Sequence, residues 1–221
     1  MNFQNLEFIT NLQYLDPETI QNVNQFIYAR GFGGITLPGV YLDYIDLEDN
    51  LPNIYLNLDG GQSLHPPVIR QTILERYIQL YEKIIKGFAF SPINKDVSNW
   101  TLSEIEKDFK HLNDAVNASS KNLSLRLILD TAKFSNFNDL NRISELYIQN
   151  GIKNIFFGSY NKSKFILDDT LMSISVLNKS YPHVTYGVFG PISRETCKKY
   201  KFFSDKNNRF MTYLQNIEDF T

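Results

Sequence analysis

The sequence predicts an α/β fold: a single (β/α)8 TIM barrel over residues 1–221, its final helix short or absent. Three observations carry that prediction. Strand-like and helix-like runs alternate along the whole chain. The strand runs are mostly apolar, without a polar face, as strands covered on both faces are. Their starts recur every roughly 20–36 residues, the length of a strand plus a crossover helix, and such units in this number fit the barrel better than a doubly wound sheet.

The strand runs are LEFITNL (Leu6–Leu12), FGGITL (Phe32–Leu37), NIYLNL (Asn53–Leu58), GFAFSPI (Gly87–Ile93), LSLRLIL (Leu123–Leu129), KNIFFG (Lys153–Gly158), VTYGVF (Val184–Phe189) and RFMTYL (Arg209–Leu214). Between them lie amphipathic stretches. Asp16-Pro17-Glu18 reads as an N-cap with proline at the first helical position, and Ile20, Val23, Phe26 and Ile27 follow on one face. The stretch Val68–Ile85 carries Ile69, Ile73, Tyr77, Leu80 and Ile84. Thr101 and Glu104 form a T-x-x-E capping box ahead of Ile105, Phe109, Leu112 and Val116. Leu140, Ile143, Leu146 and Tyr147 mark the next helix, and Leu167, Leu171, Ile174, Leu177 and Tyr181 the one after. Gly31 and Gly151 each end a helix just before a strand, where a left-handed residue is expected. The chain stops about seven residues after the last strand, too few for a full closing helix.

Bulk properties narrow the function classes. The chain is 43% hydrophobic and 21% charged, with a net charge of −2. It therefore lacks the basic field that a nucleic acid or an anionic membrane surface requires, and neither is expected as a partner. Cys197 is the lone cysteine, which excludes a disulfide scaffold and points to a reducing, cytoplasmic location. It reads as a buried small hydrophobe, with a reactive thiol beside Lys198 and Lys199 as the alternative. The first residues lack a basic segment and a long apolar run, so no signal peptide is expected.

In a barrel, chemistry sits at the C-terminal ends of the strands. That rule selects Asp59, Gly60, Gly61 and His65 after the third strand, and Ser91, Lys95 and Asp96 after the fourth. It also selects Asp130 and Lys133 after the fifth strand, Ser159 and Tyr160 after the sixth, Arg194 after the seventh, and Tyr213 and Gln215 at the eighth. Backbone N–H groups of the DGGQS loop could cradle an anion, or the loop is a plain glycine turn. No nucleophile elbow, Walker loop or dinucleotide fingerprint occurs, so no cofactor is expected. His65, His111 and His183 lack metal-ligand spacing, so no metal is expected either.

Taken in order, five segments resemble the deoxyribose-phosphate aldolase family of class I aldolases. They are TIQNVNQFIYARGFGGITLPGVYLDYI, NIYLNLDGGQSLHPPVIRQTILERYI, LRLILDTAKF, NGIKNIFFGSYNKS and VTYGVFGPISRETCKKY. The resemblance implies a barrel that forms a Schiff base between a lysine on strand 6 and a sugar-phosphate carbonyl. A second lysine on strand 7 and an aspartate on strand 4 assist it. Set against this pattern, the strand 6 lysine falls on Phe157, the strand 7 lysine on Phe189 and the aspartate on Phe90 or Ser91. The glycine pair that helps bind phosphate is reduced to Gly190-Pro191, and the strand 8 phosphate loop has become TYLQN. Phenylalanine cannot form an iminium.

Three functions follow as expectations. The first is a catalytically degenerate barrel that binds a small phosphorylated or sugar ligand, or a protein partner. The second is a carbon–carbon lyase with relocated machinery: Lys133 or Lys95 as the amine, Asp130 or Asp59 as the proton shuttle, and Asp59, Gly60, Gly61, Ser159 and Arg194 as substrate-binding residues. The third is an assembly role, with 13 tyrosines and 17 phenylalanines as material for a homo-oligomer interface. The test between them is whether the barrel mouth is an open polar pocket or is plugged by Phe90, Phe157 and Phe189.

Overall fold

A computed structural model describes residues 3–10, 16–45, 52–58, 67–92, 100–119, 122–160, 166–199 and 208–220. Eight parallel strands, β1 (Leu6–Ile9), β2 (Gly34–Pro38), β3 (Ile54–Asn57), β4 (Ile85–Phe90), β5 (Ser124–Asp130), β6 (Asn154–Gly158), β7 (Thr185–Gly190) and β8 (Asn208–Tyr213), close into a barrel in chain order. Among the described residues six helices, α1 (Pro17–Ala29), α2 (Pro67–Tyr81), α3 (Leu102–Asn117), α4 (Phe137–Gln149), α5 (Leu167–Ser180) and α6 (Arg194–Lys199), follow strands 1, 3, 4, 5, 6 and 7. After β2 comes a 3-10 segment, Gly39–Tyr44, and after β8 another, Leu214–Phe220, in place of a closing helix.

The helix ends obey the local chemistry expected of them. The Thr19 N–H donates to the Asp16 carboxylate at 2.9 Å, and the Thr101 N–H donates to Glu104 at 2.7 Å. Gly31 (φ 67°) and Gly151 (φ 100°) take the left-handed conformation. In both, the next residue's N–H reaches back five residues, Phe32 to the Ile27 carbonyl and Ile152 to the Tyr147 carbonyl, which satisfies carbonyls the helix leaves open. The stretch read as one helix to Ile85 divides: α2 stops at Tyr81, and Ile85 instead pairs with Ile54 to begin β4.

Two separate cores form, one on each side of the sheet. Outside the barrel, Phe8, Leu37, Leu56, Phe88, Leu127 and Val188 pack against Ile20, Leu74, Phe109, Tyr147 and Leu177 of the helices. Inside it, Ile9, Ala89, Ile128, Phe156, Phe189, Met211 and Tyr213 pack against one another. Side chains alternate faces along a strand, so the pairing register carries this division around the barrel. Inward partners include Thr36 with Tyr55, Ala89 with Arg126, Ile128 with Phe156, Phe156 with Gly187, Gly187 with Arg209, and Met211 with Glu7. Strands with one core on each face must be apolar on both, which is why no polar face showed in the sequence.

Candidate functional site at the barrel mouth

The register corrects the position assigned to the strand 6 lysine. Phe157 pairs with Leu129 and Val188, both outward residues, and its ring stacks on Tyr186 at 6.5 Å outside the barrel. Phe156 is the inward ring, and a Cβ placed on Gly187 would run into it. Phe90 also faces outward, stacked on Phe109 at 5.9 Å. Of the three residues expected to plug the mouth, only Phe189 does so. A one-residue shift of register exchanges the two faces of a strand, and two adjacent phenylalanines hide that shift from the eye.

Among the described residues, apolar and aromatic side chains nonetheless fill the upper half of the interior. Phe156, Phe189, Met211 and Tyr213 are all 0% exposed. Tyr160 packs on Phe189 with ring centres 5.1 Å apart. The Tyr213 hydroxyl donates to the Ser159 carbonyl, so β8 is tied to the loop after β6. Burial pushes the Tyr213 phenol well above its ordinary value, and the nearby Asp130 charge pushes the same way. Along the described inward faces of β6 and β7 stand Asn154, Phe156, Gly158, Thr185, Gly187 and Phe189, and none is an amine.

Each proposed site residue within the described parts has a definite place. Asp130, half-buried at the end of β5, accepts the Ala132 N–H at 3.1 Å and so opens the 3-10 turn Thr131–Lys133. Lys133 is exposed at the end of that turn. Ser159 is buried at 0%. Arg194 is exposed at the first position of α6. Asp130 and Ser159 are therefore brought together around Tyr213, whereas Lys133 and Arg194 stand out toward solvent. Lys95, Asp59, Gly60, Gly61 and His65 lie outside the described residues. Burial pushes the Cys197 thiol up to about 12, so it is the buried hydrophobe of the two readings. Among the described residues no three His, Cys, Asp or Glu side chains gather closely enough to hold a metal ion, and no helix is long and apolar enough to cross a membrane.

Two charged networks went unread in the sequence. Inside the barrel's lower half, Arg126 forms a two-pronged ion pair with Glu7 of β1, the second contact at 3.1 Å. The Arg126 guanidinium lies over the Tyr55 ring, 3.0 Å from its centre, and 5.2 Å from the centre of Phe156. Arg209 beneath them bonds Asn5. The signal was available: LEFI and LSLRLIL each hold one charge amid apolar residues, of opposite sign, at the inward parity. Outside the barrel, Arg70 of α2, 0% exposed, donates to Asp108 of α3 at 2.8 Å and to the Ser91 carbonyl at 3.0 Å. Tyr147 of α4 donates to the other Asp108 oxygen at 2.6 Å. This network clamps three helices to the top of β4. Asp108 also shows in the sequence, as an acid on the same helical face as Ile105 and Leu112.

No protein-family model matches the chain, and no curated protein matches it in sequence. Solved structures match it strongly. A protein from Toxoplasma gondii ME49 assigned as a deoxyribose-phosphate aldolase superposes with a TM-score of 0.79 at 9% identity, over 99% of this chain and 93% of that one. A counterpart from Coccidioides immitis gives 0.76 at 11% identity, over 98% and 83%. The deoxyribose phosphate aldolase of Aeropyrum pernix, described as tetrameric, gives 0.64 at 9% identity, over 84% and 76%. Identities this low speak for architecture, and over nearly its whole length this chain has the fold of the deoxyribose-phosphate aldolases.

Proposed function

We propose that this barrel is degenerate as an imine-forming aldolase and serves as a binding or partner protein. One observation carries the reading: the inward faces of β6 and β7 present the rings of Phe156 and Phe189, with no amine on either strand. Schiff-base chemistry needs a primary amine to form the iminium that accepts the electron pair. It also needs room for the substrate carbonyl, and both rings are 0% exposed. Incubation with deoxyribose 5-phosphate and borohydride should leave the mass of the protein unchanged. A trapped adduct ends this reading.

A second reading has its own support. Asp130 stands at the mouth beside Tyr213, three residues before Lys133. In that case the chain is a lyase on a small sugar phosphate. Lys133 or Lys95 is the amine and Asp130 the proton shuttle, and Asp59, Gly60, Gly61, Ser159 and Arg194 hold the substrate. The same experiment separates the two, since this reading requires an adduct on one of those lysines that disappears on its replacement by alanine. Assembly into a homo-oligomer is compatible with either, and a cytoplasmic location fits the reduced, buried Cys197.

A further inference from the structure

We draw no further inference here: the strongest candidate, the surface patch of exposed apolar side chains Val68, Ile69 and Leu80 along α2, is a helix face for which nothing in the structure shows what covers it.

Discussion

The two halves of the barrel interior are built from opposite materials. Toward the N-terminal ends of the strands the filling is Glu7, Tyr55, Arg126 and Arg209, charged and hydrogen-bonded. Toward the C-terminal ends it is Ile128, Phe156, Phe189, Met211 and Tyr213. In working barrels the polar groups gather at the C-terminal face, and the opposite end serves stability. Among the described residues the Glu7–Arg126 pair and Arg209 stand at the end that holds the barrel together, and the opposite end carries rings with Asp130 at its rim. The difference teaches that interior charge alone does not mark an active site; its height along the strands decides what it can do.

The largest effects should come from breaking each half by its own means. Arg126→Met strands the Glu7 carboxylate in the interior and should cost about 3–5 kcal/mol by urea denaturation, whereas Glu7→Leu combined with Arg126→Met should recover most of it. A double variant as unstable as the single one would mean that the lower half depends on more than this pair. In the upper half Phe156→Ala should cost a comparable 3–5 kcal/mol, roughly, through the cavity it leaves. No charge is stranded there, so its loss should be insensitive to pH between 6 and 9. Gly187→Ala should cost about 1–3 kcal/mol, because the added methyl meets the Phe156 ring. Pairing it with Phe156→Leu should return part of that loss, and strict additivity would show that the two positions do not touch.

The gentlest comparison is an alkaline titration of two buried phenols. Burial raises both Tyr55 and Tyr213 above the ordinary 10.0. Arg126 and Arg209 pull Tyr55 back down, against Glu7, whereas the Asp130 charge pushes Tyr213 further up. Tyr55 should therefore ionise first, followed by [13Cζ]tyrosine NMR with Tyr55→Phe and Tyr213→Phe as assignments. Each neutral phenol contributes stability that is present below pH 10 and lost as pH climbs through its folded value, because the unfolded chain releases that proton first. Ionisation of Tyr213 ahead of Tyr55 would contradict the contrast between the halves.

The barrel was legible in the sequence because its signals are local. Asp16, Thr101, Gly31 and Gly151 act within one turn of themselves, and apolar runs at crossover spacing need only be counted. Facing was less legible. In IFF and GFAF the choice between adjacent side chains depends on pairing with strands distant in sequence, and nothing local separates Phe156 from Phe157 or Phe90 from Ala89. The small residues held the answer: Gly87, Ala89 and Gly187 all point inward, leaving room for Arg126 and Phe156. The Arg70–Asp108–Tyr147 network joins three helices over separations of 38 and 39 residues, so its partners could not be matched from periodicity, although Asp108 was visible as a misfit on an apolar face.

Gly187 also bears on how readily such a barrel could change its chemistry. The missing side chain at 187 and the ring at 156 occupy one space between them. A lineage that exchanged Phe156 for a lysine would open a void over Gly187 and bury an amine beside Arg126 at once. The first step toward a new nucleophile would thus be the least stable one, and passage would demand a second substitution at 187 before any activity could be selected.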